Sequence, residues 1–147
     1  MRRRLCLALA PGSLLLPLAA CDKRSADLPA DEVRQRLVGT WLRQIEENGI
    51  RVRRILVLEP DGQFREMVRI VDAAGAVTEQ AHAGEWLFDG TNLKRRYTLM
   101  DGKQPSAPTM PYATFQLRFP SKHEFIGTDN VRQREIRYER VPSGALP

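Results

Sequence analysis

Few side chains in this 147-residue chain are of types that carry chemistry, and their spacing limits what they can do. There are two cysteines, Cys6 and Cys21, and two histidines, His82 and His123. Glu85 lies three residues from His82, and Glu124 adjoins His123. On a strand, odd separations send side chains to opposite faces, so neither histidine has a metal-ligand partner nearby. Ser106 and Ser121 fall outside any Gly-x-Ser-x-Gly context, and there is no glycine-rich phosphate loop. Glu46, Glu47, Glu66, Glu79 and Glu85 are scattered, and most read as exposed strand positions. These residues predict a non-enzymatic chain with no cofactor and no metal. What remains is the Cys21 thiol, a soft nucleophile in an unusual context, and several arginines placed among apolar residues.

Cys21 closes a segment with the layout of a secretory signal. Arg2-Arg3-Arg4 supply a positive region, and an apolar stretch over residues 5–20 follows. Pro11 and Pro17 interrupt that stretch, whereas a spanning helix needs about 20 predominantly apolar residues in a row. The segment ends in Leu18-Ala19-Ala20-Cys21. These four residues resemble the lipobox of bacterial lipoproteins. The resemblance implies that the Cys21 thiol takes a diacylglyceryl group, and that a signal peptidase cuts between Ala20 and Cys21. Small residues there let the peptidase close on the backbone. An ordinary signal peptide with an incidental cysteine is the competing reading. If lipidated, the chain is held in the cell envelope, facing the periplasm, because two acyl chains such as palmitate, at about 0.8 kcal/mol per buried methylene, give stable attachment. Asp22 resembles the inner-membrane retention residue of enteric lipoproteins, and inner versus outer membrane stays open.

Removal of residues 1–20 leaves 127 of the 147, enough for one domain with its own core. The formal charge of the whole chain is +5, but three of its 23 Lys and Arg residues lie in the signal. The remainder, 20 against 18 Asp and Glu, is nearly balanced and does not point to nucleic acid. Arginines cluster at Arg51, Arg53 and Arg54 and again at Arg132, Arg134, Arg137 and Arg140. They read as solvated strand faces or as a surface for anionic lipid or an acidic protein. No cysteine is left for a disulfide, so the core alone must hold the domain.

Residues 21–28 read as a tether and residues 29–147 as the domain. A short helix is predicted over residues 29–38, with Asp27 as cap, Pro29 in its first turn, and Leu28, Val33 and Leu37 on its inner stripe. After Gly39 the pattern turns to strands, predicted at 40–46, 50–59, 63–71, 77–88 with a break near Ala83-Gly84, 93–100, 112–119, 123–128 and 131–141. Asn48-Gly49, Pro60-Asp61-Gly62, Ala74-Gly75, Asp89-Gly90 and Asp129-Asn130 supply tight turns. Only the connection at 101–111 is long, and its prolines exclude a central strand. Eight or nine sequential antiparallel strands predict an up-and-down meander that closes into a barrel to remove its edges.

Gly39-Thr40-Trp41 follows the helix, then come Pro60-Asp61-Gly62-Gln63-Phe64, Gly84-Glu85-Trp86, and Asp89-Gly90 with Leu93. This order resembles the lipocalin-like small-barrel domains of bacterial lipoproteins. The resemblance implies that Trp41 plugs the closed end of the barrel. It also implies an arginine packed over that tryptophan near the last strand, for which Arg132, Arg134 and Arg137 are candidates. Plain core packing would also account for Trp41 and Trp86.

Alternation places charges on apolar faces. Arg54 shares its face with Ile50, Val52, Leu56 and Leu58. Glu66 shares one with Phe64, Val68 and Ile70, and Arg95 shares one with Leu93, Tyr97 and Leu99. Such charges need partners or water. In one reading, Arg54, Arg95 and Tyr97 hold an anionic head group inside the barrel. In another, Glu66 neutralises one arginine while the other reaches solvent at the mouth. In a third, a bulge slips the strand phase by one. The function expected is a membrane-anchored, non-enzymatic binding module for a small amphiphilic or anionic ligand. The alternative is an inhibitor or immunity protein against a cell-wall hydrolase or secreted toxin, with the loop at 103–110 as its probe.

Overall fold

The computed structural model describes residues 23–24, 27–106 and 112–147. A two-residue strand β1 (Lys23–Arg24) and helix α1 (Ala30–Leu37) come first. The following strands are β2 (Gly39–Glu47), β3 (Ile50–Leu58), β4 (Gln63–Val71) and β5 (Val77–Phe88). Then come β6 (Asn92–Met100), β7 (Tyr112–Ser121), β8 (Glu124–Asp129) and β9 (Glu135–Val141). From β2 to β9 each strand pairs antiparallel with the next, and β9 returns to β2 through Thr40↔Val141, Trp41↔Arg140 and Leu42↔Glu139. The meander is therefore a closed eight-stranded barrel, the mostly-β architecture expected. Closure pairs the two outer edges that an open sheet would leave exposed.

Turn chemistry sets the register. Asn48 and Gly49 have φ of 52° and 77°, the paired positive values of a two-residue turn whose twist matches its strands, and Glu47↔Ile50 pair directly across it. At the helix end of the barrel, Asp61 and Asp89 accept hydrogen bonds from backbone N–H groups two and three residues on, which fixes those turns.

The core fills the helix end. Val33 and Leu37 on α1 pack with Trp41, Leu56, Leu58, Phe64, Trp86, Leu93, Leu117, Phe119, Phe125 and Tyr138. Helices of this length are marginal in isolation. Burial of Val33 and Leu37, with Leu28 packed beside them, holds α1 across the barrel end. The expected cap does not form: Pro29 stands at the N-cap without a side-chain hydrogen bond, and its carbonyl accepts from the Val33 N–H at 3.1 Å instead.

Three further boundaries differ from expectation. The aperiodic tether contains β1, which adds to β7 through Lys23↔Phe119 and Arg24↔Arg118. Residues 131–134 form a turn and not the start of the last strand. There Asp129 accepts from the Val131 and Arg132 N–H groups, and Gln133 takes φ 54°. Register also shifts between Ala83 and Gly84, so Gly84 faces Tyr97 while Ala83 faces Leu99. That irregularity turns Leu99 off the face it was expected to share with Arg95 and Tyr97, and Leu99 is exposed.

Candidate functional site

Cross-strand partners point to the same side of a sheet. Leu56↔Glu66↔His82 and Arg54↔Val68 therefore share the inner face with Phe64 and Leu58, and Arg95↔Trp86 and Tyr97↔Gly84 join them from β6. Within this lumen Arg54, Arg95 and Tyr97 come together on Glu66. Arg95 Nη1 donates to Glu66 Oε1 at 2.7 Å, and Arg54 Nη1 donates to the same oxygen at 3.2 Å. The Tyr97 hydroxyl donates to Glu66 Oε2 at 3.3 Å. Glu66 and Arg95 are 1% and 2% exposed, whereas the Arg54 side chain keeps 27% of its surface toward the mouth. The second reading of these charges thus describes the geometry in part: Glu66 engages both arginines, and Arg54 is the one that reaches solvent.

The ring faces of Phe64, Tyr97 and Phe115 surround the Arg95 guanidinium at 5.5, 5.6 and 5.7 Å from their centroids. Such contacts partly compensate a cation for lost water. Burial by itself would raise the Glu66 carboxyl, but the charges of Arg95 and Arg54 and the Arg95 hydrogen bond outweigh it and hold the group below its ordinary range. Burial pulls Arg95 down, and the surrounding Tyr138, Tyr97 and Glu66 more than reverse it, so Arg95 stays charged. Tyr97 is pushed up to about 12, chiefly by burial, and remains a neutral donor.

One lumen cation escaped sequence reasoning. Arg43 pairs with Arg54 across β2–β3 and so faces inward beside it. Its signal was present, because Arg43 stands two residues from Trp41 in the same strand phase. Burial lowers its pKa, the neighbouring Arg54 lowers it further, and Tyr138 and Glu66 oppose this. Arg43 is held near the Tyr138 hydroxyl, which forms no hydrogen bond of full geometry. Asp129 also faces inward at the rim, opposite Phe115, but its carboxylate is turned into its own loop. Among the described residues the lumen between the core and the rim therefore sets three arginines against Glu66, with Glu47 on the same face at the exposed rim.

Trp41 is fully buried at the helix end, its indole N–H donating to the Leu37 carbonyl at 2.7 Å. The arginine over it is Arg140, 4.2 Å from the ring centroid, and not Arg132, Arg134 or Arg137. Arg140 pairs with Trp41 across β9–β2, which puts both on the inner face. Arg137 lies on the outer wall, bonded to Glu124. Arg140 donates to the Val38 carbonyl at 3.0 Å and to that of Arg36, so it fastens the C-terminal end of α1. Gly39 has φ +135°, and a Cβ there would collide with the Arg140 guanidinium. Gly84 serves the other Gly-x-Trp: a side chain there would run into the Arg96 carbonyl and the Phe64 ring.

His82 lies in the lumen with Nδ1 3.9 Å from Asp101 Oδ1, and His123 sits in an exposed turn at the helix end. No group of three His, Cys, Asp or Glu side chains among the described residues is placed to hold a metal ion. Cys21, residues 1–20 and much of the 103–110 loop lie outside the described residues. No helix among the described residues is long and apolar enough to cross a membrane. On the outer wall, a groove of about 700 Å³ runs beneath the C-terminal segment, lined by Val57, Met67, Ala81, Ala83, Leu99 and Leu146. The chain matches no protein-family model and no curated protein.

Proposed function

We propose that this chain is a lipoprotein of the bacterial envelope, anchored through a diacylglyceryl group on Cys21, whose barrel binds a small anionic or amphiphilic ligand without catalysis. The observation that carries the binding reading is the charge imbalance of the lumen below its rim: Arg43, Arg54 and Arg95 against Glu66, with Glu47 only at the exposed edge. Arg95 is consumed by Glu66 and by the rings around it. Arg54, which shares Glu66 yet keeps 27% of its side chain exposed, and Arg43 beside it are placed to receive an anionic head group, with Ile45, Val52 and Ile70 on the same inner face for an apolar tail. The Trp41–Arg140 pair after a short helix supports the resemblance to lipocalin-like barrels. Native mass spectrometry after mild extraction tests the reading. An anionic amphiphile should travel with the wild-type chain and be lost from Arg43→Ala/Arg54→Ala, and a bare wild-type chain would count against it.

A protein-interaction role, as an inhibitor or immunity protein against a cell-wall hydrolase or secreted toxin, draws on a different observation. The outer-wall groove beneath the C-terminal segment holds about 700 Å³, and its walls are largely apolar. A pull-down with the chain from Asp22 onward that captures a hydrolase, unaffected by Arg54→Ala, would favour this reading.

A further inference from the structure

The β6–β7 ladder stops at Asn92↔Gln116, while β7 continues to Ser121. Beyond Gln116 its other edge is already taken by β8, through Leu117↔Gly127 and Arg118↔Ile126. The edge left without β6 is filled by β1, at Arg24↔Arg118 and Lys23↔Phe119. A bare strand edge exposes N–H and C=O groups that favour pairing, so β1 has a defined seat. That seat is at the helix end of the barrel, where Phe119 packs in the core with Val33 and Leu37.

We infer that β1 clamps the barrel with its helix end toward the bilayer and its open mouth pointing away from it. This rests on the reading that Cys21 carries the lipid. Cys21 stands two positions before Lys23, and two residues reach at most about 7 Å. Strands of nine residues, tilted as barrel strands are, give a wall about 20–25 Å tall. With β1 seated, the leash is far shorter than the wall, and the mouth cannot turn to the membrane. Without β1, the chain from Cys21 to Ala30 reaches up to about 30 Å, and the clamp is lost. The partner of the helix-end surface is therefore the lipid headgroup layer. The mouth, with Arg43 and Arg54 below it, opens to the aqueous side, so a ligand enters from the periplasm or from a soluble carrier and not sideways from the anchoring leaflet.

Depth-dependent quenching tests this on the lipidated chain in phosphatidylethanolamine–phosphatidylglycerol vesicles containing brominated lipid. Signal removal takes Cys6 and the lipid occupies Cys21, so an introduced cysteine supplies the thiol for a fluorophore. One label goes at Lys122→Cys, in the exposed turn at the helix end, and one at Ala74→Cys, in the exposed turn at the mouth. The inferred orientation predicts several-fold stronger quenching at the first position. It also predicts that Arg24→Pro, which takes the backbone N–H from one of the two β1 residues and fixes its φ, erases most of the difference. Equal or reversed quenching on vesicle-bound chain overturns the orientation alone, and an unchanged difference in Arg24→Pro overturns the clamp. A chain that stays in solution with a free Cys21 thiol overturns the lipid reading and the orientation with it.

Discussion

Glu66 is the residue on which the lumen turns. Removing one partner of a buried ion pair leaves an uncompensated charge and costs about 3–5 kcal/mol. Glu66→Ala should therefore lose stability of that order in urea unfolding, because Arg95 at 2% exposure would be stranded. Arg54→Ala should cost under about 1 kcal/mol, since Arg54 is partly solvated and its bond is longer. The Glu66 carboxyl is held below its unfolded value near 4.3, so its contribution is fully present above that pH. It is lost as pH falls through the lower folded value, and unfolding midpoints at descending pH should drop more steeply for wild type than for Glu66→Gln. Alternation made Glu66, Arg54 and Arg95 visible in the sequence as charges on apolar faces. It did not reveal that one carboxylate takes both arginines and Tyr97, because that depends on which strands are neighbours.

At the scale of elements, the turns carried most of the legible information. Strands β4 and β5 fall where Gln63, Val71, Val77 and Phe88 marked them, because Asp-Gly and Ala-Gly punctuation bounds them. The missed boundaries have local physical causes: Asp129 capping Val131 and Arg132, and Pro29 standing where Asp27 was expected to cap. The Arg140 clamp on α1 was hidden because the β9–β2 closure joins positions about a hundred residues apart. Arg140 carries out two tasks, covering Trp41 and holding helix carbonyls, and a lysine lacks the planar fork for both. Arg140→Lys should thus destabilise by about 1–3 kcal/mol, the cost of leaving buried carbonyls unbonded. Leu37→Ala, which removes the last buried turn of α1, should cost about 2–5 kcal/mol. Thermal unfolding followed by near-ultraviolet circular dichroism at the tryptophans would read both.

Across the whole molecule, the closed barrel follows from a chain of short, sequential strands and one long connection, and that much was legible. The anchor at Cys21 and the barrel meet through β1, an element too short to announce itself by periodicity; its two residues became a strand because β7 outruns β6. The lumen is graded along its axis, from an apolar floor through a neutralised Glu66–Arg95 layer to an upper pair of arginines. The central claim is that this upper pair receives an anion. Each charge-assisted hydrogen bond it makes would be worth about 1.5–3 kcal/mol, or roughly tenfold to a hundredfold in affinity. The direct measurement is a fluorescence titration of the chain with an anionic long-chain amphiphile, compared with its neutral alcohol and with Arg54→Ala. Saturable binding of the anion, weakened by roughly ten- to a hundredfold for the alcohol and for Arg54→Ala, is the result predicted. Equal binding of anion and alcohol, or binding indifferent to Arg54, would contradict it.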